Sequence, residues 1–88
     1  MAERTRFSLS RHARRRMRLR HISLEMIERA LRAADQRQPD RDDSELMHAL
    51  KRFHFRGRSR VLRVVYNVML TPWHVVTVFF DRRVSRRR

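Results

Sequence analysis

His12, Arg16 and Arg20 recur every four residues in the stretch Ser10-Arg11-His12-Ala13-Arg14-Arg15-Arg16-Met17-Arg18-Leu19-Arg20-His21-Ile22-Ser23. On a helix that spacing brings one imidazole and two guanidinium groups onto a single face. Metal-independent cleavage of RNA calls for such groups: a base for the 2′-hydroxyl proton, cations for the phosphorane charge, and an acid for the leaving oxygen. His12 suits base or acid, since imidazole is the side chain that exchanges protons near neutral pH. Arg16 and Arg20 suit a phosphate clamp. Thr77, a hydroxyl inside the apolar run from His74 to Phe80, could donate to a non-bridging oxygen. Each residue also has a plainer reading. His12 could cap or pack its helix, Arg16 could pair with an acid such as Asp42, and Thr77 is an ordinary strand former.

A wider basic surface surrounds this set. Arg14, Arg15, Arg18, Arg58, Arg60, Arg63, Arg82 and Arg83 are expected to contact a nucleic-acid backbone, with Tyr66 and Trp73 as stacking platforms for bases. For Trp73 the alternative is to cover an edge of the core. His48, His54 and His74 fall in expected strands, but no His-x-x-x-His pair and no cysteine supports a metal centre with His12 or His21. Neither metal nor cofactor is expected. No serine lies in a glycine-rich elbow, and Gly57 is the only glycine, which argues against a phosphate-binding glycine loop and nucleoside-triphosphate chemistry.

A net charge of +14 on 88 residues opposes compaction by self-repulsion and favours a polyanionic partner. The hydrophobic share of 41% is too high for a disordered basic tail. Residues 1–88 therefore read as one small domain with a modest core. No apolar run approaches the roughly 18 residues needed to cross a bilayer, and no signal-peptide core follows Met1 to Arg6. Nucleic acid is the expected partner rather than a membrane, and the cytoplasm the expected address. Without cysteine, neither disulfides nor thiolate zinc can staple the domain.

These side chains must be positioned by a short set of elements. Residues 1–9 read as an extended lead-in, with Phe7 and Leu9 alternating as in a short strand or a docked arm. A helix over about 11–19 carries Ala13 and Met17 as its apolar stripe, and Ser23 starts a second over about 24–34 with Leu24, Ile27, Ala30 and Leu31 inward. Residues 35–45 hold five of the nine acids, Pro39 and no apolar side chain, and read as a surface loop. Strands follow over 46–55, 60–70 and 74–80, with a hairpin turn at Arg56-Gly57-Arg58-Ser59, a second turn at Thr71-Pro72-Trp73, and a basic tail over 82–88. The expected fold is α+β: two N-terminal helices packed on a three- or four-stranded antiparallel sheet, ααβββ. Met17, Ile22, Leu31, Val65, Val76 and Val78 are expected to share its core.

The opening motif, His12, Ala13, Arg16, Met17, Arg20, Ile22 and Ser23, fits the pattern His-Ala-x-x-Arg-Met-x-x-Arg-x-Ile-Ser/Thr. With Val75-Val76-Thr77-Val78 near the end, it resembles a family of small prokaryotic domains of unknown function over about residues 7–81. That family is similar to the RelE/ParE toxin fold and to small metal-independent ribonuclease toxins. The resemblance implies two helices against a twisted antiparallel sheet, and an RNA-directed, toxin-like activity such as metal-independent endoribonuclease cleavage, on free or ribosome-associated RNA. A different class of function is a non-catalytic module on ribosomal or structured RNA. A third is a protein partner whose basic face docks an acidic antitoxin-like chain. Catalysis requires His12, Arg16, Arg20 and Thr77 to converge, whereas a binding module requires only an arginine surface.

Overall fold

The computed structural model describes residues 4–85. Strand β1 (Phe7–Leu9) leads into α1 (Arg11–Arg20) and α2 (Leu24–Arg32). Strands β2 (Gln36–Pro39), β3 (Leu46–Phe55), β4 (Arg58–Asn67) and β5 (Trp73–Phe80) follow, and a short α3 (Arg82–Ser85) ends the described chain. The strands form one mixed sheet in the order β1-β5-β4-β3-β2, with β1 parallel to β5 and the other neighbours antiparallel.

This corrects the expected ααβββ arrangement. The fold is α+β, but both long helices lie between strands β1 and β2, and the sheet has five strands rather than three or four. The two added strands are its edges. At β2, Gln36-Arg37-Gln38-Pro39 pairs with Leu50 to Met47 and lacks apolar alternation, because an edge strand can satisfy its pairing with polar side chains in water. Proline is tolerated at such an edge. The first residues of the expected basic tail form α3, whose start is capped by Asp81: its Oδ1 accepts from the N–H groups of Arg83 at 3.1 Å and Val84 at 3.2 Å. Residues 86–88 of that tail, and 1–3 of the lead-in, lie outside the described residues.

Ser10 fixes where the first helix sits. Its Oγ accepts from the Ala13 N–H at 2.9 Å and donates to the Val76 carbonyl at 2.6 Å, while its N–H donates to the Val75 carbonyl at 2.9 Å. One residue thus caps α1 and ties it to β5. Ser23 caps α2 in the same way, accepting from the Met26 N–H at 3.1 Å. Helix α1 ends at His21, which adopts the left-handed conformation with φ 55°.

Between the helices and the sheet, Ala13, Ile22, Ile27 and Leu31 meet Leu62, Val64, Tyr66, Val75 and Val78. Of the expected core set, Ile22, Leu31 and Val78 belong to this cluster. Val65 is buried too, but strand alternation turns it to the opposite face of the sheet. Met17 and Val76 are half-buried. Met17 packs on the rim of the core. At Val76 the register shifts, with Val65 opposite Thr77 and Tyr66 opposite Val75, so Val76 is the extra residue of a bulge.

Candidate nucleic-acid interface

Helix α1 separates the residues that its spacing aligned. Arg16 and Arg20 line a groove at the C-terminal end of the helix, together with His21 and with Arg58, Arg60 and Arg82 from the far end of the sheet. His12 is exposed one turn before Arg16 and does not line it. Thr77 pairs with Val65 on the face turned away from α1 and α2, so the sheet stands between it and His12. The four residues expected to act together are therefore not brought together. Arg14 and Arg18 border a different groove, beside the N-terminal arm, and Arg15 is exposed on α1.

The arginine groove is open, about 1040 Å³ in volume, and among the described residues no acid lines it. Five guanidinium groups face this space, and among the described residues none of the five makes a side-chain hydrogen bond or an ion pair. The guanidinium of Arg60 lies 4.8 Å from the centre of the Phe80 ring, which supports it from below without neutralising it. Such a set of free donors around a concave surface is suited to phosphate oxygens.

A second cleft, about 470 Å³, adjoins the groove and shares Phe79, Phe80 and Arg82 with it. Its floor is a chain of polar contacts on the face turned away from α1 and α2. Arg63 donates to Asp81 Oδ2 from Nε at 2.9 Å and from Nη2 at 2.8 Å. Arg63 Nη1 donates to His48 Nδ1 at 2.8 Å, and His48 Nε2 meets Asp40 Oδ1 at 2.6 Å. Guanidinium can only donate, so His48 Nδ1 is the acceptor here and Nε2 carries the proton given to Asp40. The Asp40 carboxyl is held below its ordinary range first by this His48 contact and then by the N–H groups of Asp42 and Asp43. Burial would raise Asp81, but the Val84 N–H and Arg63 outweigh it and hold that carboxyl low.

Three residues expected at the nucleic-acid surface have other tasks. Arg63 is committed to Asp81 and His48. Tyr66 is 1% exposed, and its hydroxyl accepts from Arg37 Nη1 at 2.7 Å. Trp73 is half-buried with its ring 4.9 Å from Tyr66, covering the core edge. Arg83 borders the second cleft. Among the histidines, His74 Nδ1 contacts Ser8 Oγ at 2.7 Å, and His54 is exposed. Among the described residues no three His, Asp or Glu side chains converge as metal ligands. Sequence reasoning passed over His21 and Phe79 as site residues. The position of His21 directly after Arg20, where an exposed helix ends, was the available signal for it.

A family model, Domain of unknown function (DUF4258), matches residues 9–80. The chain belongs to this family. The DUF4258 span contains Arg16, Arg20, Arg58 and Arg60 and stops just before Arg82, so most of the groove lies within the shared domain. No curated protein and no solved structure matches the chain.

Proposed function

We propose that this DUF4258 domain is a small basic RNA-directed module that binds phosphates in the arginine groove. The observation that carries this reading is five guanidinium groups facing one open space, with no acid among the described residues lining it. Phosphate contacts supply most sequence-independent affinity and make it depend on salt. If the five arginines each neutralise one phosphate of a single strand, the log–log salt slope should be about −3.5. Exchanging two of the cations in Arg58→Glu/Arg60→Glu should make the slope shallower and weaken binding on the order of a hundredfold. Fluorescence anisotropy of a labelled RNA across a salt series measures both, and a slope near zero for the unaltered protein removes the reading.

A second reading, a toxin-like metal-independent endoribonuclease related to the RelE/ParE class, is favoured by His21 lining the same groove as Arg16 and Arg20. In this version His21, rather than His12, supplies the imidazole. His21→Asn tolerates the left-handed backbone and cannot exchange a proton near neutral pH. It should remove on the order of 10² to 10⁴ of the rate while leaving binding nearly unchanged. The products should carry 2′,3′-cyclic phosphates. Absence of cleavage, with and without ribosomes, leaves the binding module alone.

A further inference from the structure

We propose that the cleft beside the arginine groove is a base pocket, taking one unstacked base of single-stranded RNA against the ring of Phe79 while the neighbouring phosphates lie along the groove. This rests on the RNA-binding reading and specifies which form of nucleic acid the site accepts.

Phe79 stands apart from the other phenylalanines. Phe53, Phe55 and Phe80 are in ring contact with one another or with arginine, and Phe7 packs against the core. Among the described residues Phe79 has no ring contact and does not belong to the core cluster. It stands opposite Arg63 on the face turned away from α1 and α2 and is half-buried. A partly exposed aromatic side chain at the junction of two basic cavities suits a single strand, because every base offers a π-face for stacking while its backbone follows the cations.

The surroundings of Phe79 suit the edges of a base. The ion pair of Arg63 with Asp81, at 2.8 Å, and the His48 contact behind it hold the floor rigid before any ligand arrives. Arg82 and Arg83 border the opening with exposed guanidinium groups, which can donate to the carbonyl oxygens and ring nitrogens of a base. The cleft's volume of about 470 Å³ falls among pockets that take small organic ligands. Because Phe79, Phe80 and Arg82 line both cavities, a strand held by its phosphates in the groove passes the mouth of the cleft. In a duplex the bases are paired and stacked on each other, and entry would first require unstacking.

The test compares three probes by anisotropy: an unstructured RNA of about 12 nucleotides, the same RNA with its central nucleotides abasic, and the blunt duplex. The protein should bind the intact single strand about tenfold more tightly than the abasic one, and more tightly than the duplex. Phe79→Leu keeps apolar bulk but loses the aromatic face. It should erase the difference between intact and abasic probes while leaving the salt slope unchanged. Equal, salt-sensitive binding of intact and abasic strands by the unaltered protein overturns the base pocket and leaves the phosphate groove standing. Failure to bind any probe overturns the groove itself.

Discussion

Arg60 and Arg63 lie three residues apart on β4 and are used in opposite ways. Arg63 is enclosed on the face turned away from α1 and α2, with both arms of its fork on Asp81 and a third contact to His48. Arg60 opens onto the groove with an aromatic ring beneath it and no acid beside it. In a chain whose net charge is +14, the number of arginines says little about their roles. What separates them is where the few acids go. Asp81 answers Arg63, Glu28 answers Arg32, Asp35 answers Lys51 and Asp40 answers His48. None of these acids lines the groove, and its cations remain available to a ligand.

The largest expected effect breaks the enclosed half of this pair. Arg63→Met takes the guanidinium fork away from the buried Asp81 carboxylate and should destabilise the fold by about 3–5 kcal/mol, with the salt slope of RNA binding nearly unchanged wherever the protein remains folded. Arg60→Met should do the reverse, changing stability by less than about 1 kcal/mol and reducing the salt slope by about 0.7. Urea unfolding and anisotropy across a salt series on both variants test the contrast, which is lost if Arg63→Met reduces the salt slope without weakening the fold.

A smaller effect sharpens the comparison through pH. The folded-state value of Asp81 lies below its ordinary 3.8. Its contribution to stability is therefore complete above that ordinary value and is lost as pH falls through the depressed one. The unaltered protein should lose stability along this acid limb. Asp81→Asn should be less stable near neutrality and show a flatter limb, read by denaturant unfolding at a series of pH values. An unchanged acid limb in Asp81→Asn would mean that the Arg63 pair does not couple to folding.

The smallest expected effect concerns the element that aims the groove. Ser10→Ala removes the cap of α1 and the bond to Val76 and should cost about 1–2 kcal/mol. Thermal unfolding measures it. Loss of less than half a kilocalorie would show that packing of Ala13, rather than the Ser10 hydroxyl, sets the position of Arg16 and Arg20.

Much of this molecule is written locally in its residues. Ser10 and Ser23 mark the starts of α1 and α2, and the positive φ angles of Arg56 and Gly57 form the turn expected between β3 and β4. These features depend on neighbours in the chain, so sequence alone determined them. It also determined the excess of basic charge, the single glycine and the absence of cysteine. The tertiary structure decided the rest. Strand β1 finds its parallel partner at the far end of the chain, with Phe7 opposite Trp73. The polar strand β2 exists because β3 offers it an edge. Helix α1 packs on one side of the sheet while Thr77 faces the other, so helical spacing could not show whether His12 and Thr77 meet. The division of the arginines was equally hidden, since a guanidinium is satisfied or free according to which carboxylate folding carries to it. Asp81 reaches Arg63 only because β5 runs back antiparallel along β4, and no acid is carried to Arg58 or Arg60.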